Sequence, residues 1–203
     1  VYLQEISGFK KDEGAFLIGM VSRITETKGF PLIVSILESF LREHEDVQFV
    51  LLGTGDEAII SRLEAIQNAF PERVKLNLGF HASVPNHIYA GADLFLMPSR
   101  IEPCGLSQLI AMKYGTIPLV RQTGGLNDTV ETYDPITKRG TGFSFYNYDA
   151  GALWGTLTQA LSVFNHEKNV FNGLRNRAMD VNFSLDKQAD RMIDIYHLAI
   201  LKR

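Results

Sequence analysis

Six short, largely apolar runs punctuate the chain, at 15–21, 47–52, 74–78, 94–97, 117–120 and 142–145, each rich in β-branched or aromatic residues and bounded by turn formers. Apolar stretches of this length read as strands buried on both faces of a sheet. Between them the apolar positions change to helical spacing. The segment 31–44 is the clearest case: Pro31 suits a first helical turn, and Leu32, Ile33, Ile36, Leu37 and Phe40 recur at three- and four-residue steps to make one apolar face. The same reading predicts helices at 56–69, 85–90, 106–114, 126–131, 150–164, 168–179 and 186–202. The last of these carries an apolar stripe that includes Ala189, Met192, Ile193, Tyr196 and Ile200. Alternation of strands and helices predicts an α/β fold, a doubly wound six-stranded parallel sheet of Rossmann-like type, because crossovers between parallel strands are overwhelmingly right-handed. Ligands of such sheets bind beyond the carboxyl ends of the strands, so the loops there are where chemistry is expected.

Composition narrows this only a little. With 203 residues, 45% hydrophobic and 21% charged, and no repeat or low-complexity linker, the chain is expected to form one domain over 1–203. A net charge of −3 gives no global basic field, so neither nucleic acid nor an anionic membrane is an expected partner, though a local positive pocket is compatible with it. No apolar run approaches the ~18 residues of a membrane span. Cys104 is the single cysteine, which excludes an internal disulfide and a cysteine-built metal site and suits a cytoplasmic setting. His81, His87 and His166 have no metal-ligand spacing and are expected to be structural or superficial. The start, Val1-Tyr2-Leu3-Gln4-Glu5, resembles neither a signal peptide nor a natural initiation site, and an excised piece of a longer protein is expected.

Two loops carry candidate chemistry. After the first strand, Ser22-Arg23-Ile24-Thr25-Glu26-Thr27-Lys28-Gly29 sets two cations and a glycine ahead of a helix. Arg23 offers a planar fork to phosphate oxygens, and Lys28 a compact charge beside a helix start that already favours anions. Taken alone, the loop reads first as a solvated one whose cations pair with Glu26, because loops with two cations are common. After the fourth strand, Ser99-Arg100-Ile101-Glu102-Pro103-Cys104-Gly105-Leu106-Ser107 leads into a helix. Pro103 stiffens the turn, Gly105 permits close backbone approach, and Gly105, Leu106 and Ser107 offer N–H groups at the helix start to a phosphate or sugar oxygen. Glu102 is placed to accept from sugar hydroxyls. The alternative within this segment is a plain turn with Cys104 as a small buried hydrophobe.

These residues carry a resemblance. Glu-Pro-Cys-Gly-Leu-Ser-Gln-Leu at 102–109, followed by Ala111-Met112-Lys113-Tyr114-Gly115-Thr116-Ile117-Pro118 and by Arg121-Gln122-Thr123-Gly124-Gly125-Leu126, looks like the bacterial glycogen synthases and plant starch synthases. Ser22-Arg23 and Lys28-Gly29 resemble the phosphate-binding segment of that family, and the likeness spans nearly the whole chain. It implies the C-terminal, nucleotide-sugar-binding half of a two-domain GT-B retaining glucosyltransferase. The N-terminal acceptor domain, with its Lys-x-Gly-Gly-Leu motif and a catalytically important His, has no counterpart in this sequence.

The resemblance implies transfer of glucose from ADP-glucose to the non-reducing end of an α-1,4-glucan with retention of configuration. It implies no metal and no cofactor, ADP-glucose being a substrate. Arg23 and Lys28 are then expected to bind the donor phosphates and stabilise the leaving diphosphate. Glu102 is expected against the glucose 3- and 4-hydroxyls, the backbone of Cys104, Gly105 and Leu106 against the sugar, and Ser107 on the phosphate. Phe80 is expected to stack on adenine, or else to be a core aromatic at a strand end. Gly124 and Gly125 are expected to approach sugar or diphosphate from a facing loop, or else to form a plain helix entry. No residue declares itself as the nucleophile of a double displacement, so front-side attack is the expected course. Related glycosyltransferases carry a second Glu eight positions after the first; Ile110 stands there, which agrees with the glycogen synthase type and leaves the ribose contact unassigned. The chain alone is expected to bind donor without turnover. The alternatives are a stand-alone nucleotide-sugar-binding module and a related GT-B transferase with a small acceptor.

Overall fold

The computed structural model describes residues 1–79 and 84–201. Phe80 and His81, and Lys202 at the expected end of the last helix, lie outside the described residues. All six expected strands are present: β1 (Phe16–Val21), β2 (Val47–Gly53), β3 (Val74–Leu78), β4 (Leu94–Met97), β5 (Ile117–Arg121) and β6 (Phe143–Phe145). They pair in parallel in the order β3-β2-β1-β4-β5-β6. The order reverses between β1 and β4, where Ile18 lies beside Leu94 and Gly19 beside Phe95. That reversal opens a crevice at the carboxyl ends of these two strands.

The helices α1 (Tyr2–Ile6), α2 (Phe30–Glu43), α3 (Glu57–Ala69), α4 (Val84–Gly91), α5 (Ser107–Tyr114), α6 (Gly125–Thr129), α7 (Ala150–His166) and α8 (Lys168–Asp180) lie over the two faces, and α9 (Leu185–Leu201) follows them. Alternating side chains of β1 divide the interior. Phe16, Ile18 and Met20 enter a core shared with α2, α3 and α7, and Leu17 enters a second core with Ile88 of α4 and Ala111 and Met112 of α5. Helix starts follow the capping chemistry of the sequence: Asp56 accepts from the Ile59 N–H at 3.0 Å and Asp149 from the Ala152 N–H at 2.8 Å, so α3 and α7 each begin one residue after an acidic cap.

Two elements depart from the sequence pattern. Helix α1 was not expected, since five residues are too few to show a period; it is held by Leu3, which is buried, and by Gln4, whose amide donates to Gln48 Oε1 at 2.9 Å and to the Asp12 carbonyl at 2.7 Å. Helix α6 stops at Thr129, two residues short of the expected end. Every described side chain of α9 is exposed, Met192, Ile193, Tyr196 and Ile200 among them.

At the amino ends of the strands, Asp93 accepts from the Leu17 N–H at 3.1 Å and pairs with Arg175 at 3.2 Å. Burial pushes its carboxyl above the usual carboxylate range, and the Leu17 hydrogen bond and Arg175 offset only part of that. The folded chain therefore holds a proton here at pH values where the unfolded chain has released it, so stability falls as pH rises from about 4 through the raised value. Asp93→Asn removes this slope. The urea midpoint of the wild type will rise relative to that of the variant as pH is lowered from neutral towards 4, and a constant difference would contradict the assignment.

Candidate functional site

The site forms where the loops after β1 and β4 meet. Beyond Val21 the chain is tied to the loop after β2: Ser22 N–H donates to the Leu52 carbonyl at 3.0 Å, Ile24 N–H to Thr54 at 2.8 Å, and Asp56 N–H to Ile24 at 2.8 Å. These bonds fix the backbone on both sides of Arg23. A 3-10 turn at Glu26–Lys28 follows and ends at Gly29, whose φ of 83° and close contact with the Pro98 carbonyl leave no place for a Cβ. The Arg100 N–H donates to the Thr27 carbonyl at 2.8 Å, so the turn and the loop after β4 are laced together. Lys28 is thereby delivered to Glu102, 74 residues away in sequence.

Lys28 Nζ lies 2.5 Å from Glu102 Oε2, and the same oxygen accepts from Ser99 Oγ at 3.2 Å. The Lys28 side chain is 22% exposed and that of Glu102 9%, so the pair is largely withdrawn from water and weakly screened. Arg23 is exposed and makes no ion pair among the described residues. The two cations thus differ: Lys28 is committed to a carboxylate, and Arg23 has no such partner among the described residues.

A cleft of about 360 Å³ opens over these groups, lined by Met20 to Arg23, Lys28, Met97, Ser99, Glu102 and Gly105 to Ser107. A second, of about 320 Å³, shares Val21, Ser22 and Arg23 and runs on past Leu52 to Thr54, Gly79 and Pro85. Arg23 stands at their junction. Helix α5 starts at Ser107 with no side-chain cap, leaving its first N–H groups beside the cleft. Gly105, at φ 74°, makes the turn into it.

Of the residues singled out from sequence, Arg23, Lys28, Glu102, Gly105, Leu106 and Ser107 line one cleft. Leu106 is 70% exposed and Cys104 is exposed too, so the alternative of Cys104 as a buried hydrophobe does not hold. Gly124 and Gly125 do not line the cleft; they lie behind the loop that follows β4, with Gly124 against the carbonyls of Glu102 and Pro103 and Gly125 against the Cys104 backbone. The second cleft ends at Gly79, next in sequence to Phe80. Among the described residues no three His, Cys, Asp or Glu side chains converge to hold a metal ion, and no helix is long and apolar enough to cross a membrane.

Arg121 is a residue that sequence reading left without a role. Its Nε donates to the Ser99 carbonyl at 2.9 Å, Nη2 to Arg100 at 2.6 Å and Nη1 to Tyr146 at 3.0 Å, spreading one guanidinium under the loop that carries Glu102. Its partners are backbone carbonyls, which leave no mark in the order of residue types.

The family model described as glycosyl transferases group 1 matches residues 4–173. The glycogen synthase of Streptococcus gordonii is 44% identical over 194 residues, 96% of this chain and 40% of that protein. That of Trichodesmium erythraeum is 45% identical over 196 residues, 97% of this chain and 42% of its own length. Among solved structures, the catalytic domain of Starch Synthase IV from Arabidopsis thaliana, bound to ADP and acarbose, matches with a TM-score of 0.86 at 32% identity, over 98% of this chain and 41% of that one. The chain spans about two fifths of the length of the curated relatives it matches.

Proposed function

The chain belongs to the group 1 glycosyl transferase family, and on that premise we propose that it is the donor-binding domain of a glycogen or starch synthase. It takes ADP-glucose, and the enzyme of which it forms this half passes the glucose to the non-reducing end of an α-1,4-glucan with retention of configuration. The acceptor is held by a further domain outside these 203 residues. The observation that carries the reading is the convergence of Arg23, Lys28, Glu102 and the uncapped start of α5 on one cleft at the reversal point of the sheet. Supporting it are the two glycogen synthases and the ADP-bound starch synthase that the chain resembles.

In this reading Arg23 and Lys28 take the diphosphate and offset the charge that collects on it as the glycosidic bond to phosphate breaks. The N–H groups from Gly105 to Ser107 complete the anion cradle, and Glu102 accepts from glucose hydroxyls, with Cys104 on the rim of the same loop. The second cleft, from Arg23 to Gly79, takes the nucleoside. Gly124 and Gly125 act from behind, by letting the donor loop rest on α6. The cytoplasmic placement expected from the lone cysteine goes with this role.

Calorimetry on the chain will show binding of ADP and ADP-glucose, with UDP-glucose at least about tenfold weaker, a difference of about 1.4 kcal/mol. Absence of heat with either adenine nucleotide would remove the donor reading; equal affinities would leave the cradle and overturn the adenine preference.

A further inference from the structure

Gln108, the second residue of α5, is fully buried and does not line the donor cleft. Its amide nitrogen faces three oxygens: the Gly105 carbonyl at 3.0 Å, Thr129 Oγ1 at 3.1 Å and the Cys104 carbonyl at 3.4 Å. With two hydrogens to give, the amide serves the two nearest. Thr129 in turn donates its hydroxyl proton to the Gly125 carbonyl at 2.6 Å, and the Gly125 N–H donates to the Pro103 carbonyl at 3.0 Å. The bonds close a circuit that leaves the donor loop at Gly105, passes through Gln108, Thr129 and Gly125, and returns to the loop at Pro103. Gly124 and Gly125 sit so close on the loop backbone that a methyl group at either would collide with it.

The other end of the amide has no such account. Gln108 Oε1 is buried without a partner among the described residues, and a Cβ on Gly105 would lie 2.5 Å from it. An orphaned buried acceptor is costly, and an apolar side chain of similar size would avoid that cost. What the amide supplies is therefore the donor half, and the donor half is spent wholly on joining the loop to α6.

We propose that Gln108 is a positioning residue for the donor site: through Thr129 it locks the 103–105 backbone to α6 and so sets where the N–H groups at the start of α5 meet the sugar and outer phosphate. The proposal rests on the donor reading above. It assigns to the interior of α5 a control over ligand geometry that no cleft-lining residue reveals.

The test compares wild type, Gln108→Leu, Thr129→Val, Thr129→Ser and the Gln108→Leu/Thr129→Val double variant, by calorimetry with AMP and with ADP-glucose. Gln108→Leu will lose about tenfold or more in affinity for ADP-glucose and stay within about twofold for AMP, which does not reach the loop. Thr129→Val will show a similar selective loss, Thr129→Ser will behave as wild type, and the double variant will be no worse than Gln108→Leu, because both break one circuit. Hydrogen exchange without ligand gives an independent reading: the Gly125 N–H will exchange about tenfold faster in Gln108→Leu, although the substituted residue lies on another helix. Unchanged ADP-glucose binding, equal losses for both nucleotides, multiplying losses in the double variant, or unchanged exchange at Gly125 would each overturn the proposal. Wild type that binds no nucleotide while Gln108→Leu still frees the Gly125 amide would instead refute the donor reading and leave the lock standing as a structural one, which would overturn its role in ligand geometry.

Discussion

Arg23→Ala will weaken ADP binding by about 30-fold or more, the loss of a charge-assisted contact worth about 2 kcal/mol. Arg23 is the cation in this site with no competing partner among the described residues, whereas Lys28 is already engaged by Glu102. Its backbone is pinned on both sides by the hydrogen bonds of Ser22 and Ile24, so the ligand has only the side chain to order. It also stands where the two clefts meet, which in the proposed reading is where the diphosphate lies between nucleoside and sugar. Arg23→Lys will recover only part of the loss, since an ammonium keeps the charge and gives up the two-pronged geometry. Titration calorimetry decides: wild-type affinity in Arg23→Ala would sink the phosphate assignment.

The strands were legible because a parallel sheet covered on both faces needs apolar side chains on each, and runs such as Phe16–Val21 and Leu94–Met97 satisfy that with almost no polar interruption. Their spatial order follows from handedness and from the reversal that doubly wound sheets share, but nothing in the local pattern marks β1 and β4 as neighbours. Helix α1 was missed since Leu3 and Gln4 owe their burial to partners remote in sequence, Gly91 and Gln48. The resemblance seen in 102–109 is borne out by the family match and by the glycogen synthases.

Within the site, charge was legible and pairing was not. Arg23, Lys28 and Glu102 stood out as charged groups in loops that follow strands, yet the sequence offered Glu26 as the neighbour of Lys28, and the fold gives it Glu102 instead. The reason is Gly29, which lets the 3-10 turn press against the Pro98 carbonyl and carries Lys28 across to the other loop. Gln108 and Arg121 remained silent for a different reason. Both spend their donors on main-chain or hydroxyl oxygens, and such targets exist only once the chain has folded.

Glu102→Gln will move the affinities for ADP and ADP-glucose in opposite directions. The Glu102 carboxylate holds Lys28 at ion-pair distance, with both groups largely out of water. A phosphate that enters must share Lys28 with that carboxylate and also meet its negative charge, a penalty that weak screening makes larger. The amide keeps the shape and a hydrogen-bond acceptor for Ser99 and removes the charge, so bare ADP will bind about threefold or more tightly. ADP-glucose gains the same relief but loses the carboxylate as a charge-assisted acceptor for sugar hydroxyls, at about 1.5–3 kcal/mol for such a contact, and will bind more weakly. The ratio of the two affinities therefore shifts by about tenfold or more against the sugar nucleotide. Glu102 in this view does two things with one charge: it repels a diphosphate that arrives without sugar, and it rewards one that brings hydroxyls to replace Lys28 as its partner. Parallel titrations of wild type and Glu102→Gln with both ligands measure this directly, and a change of the same sign for both would refute the discrimination.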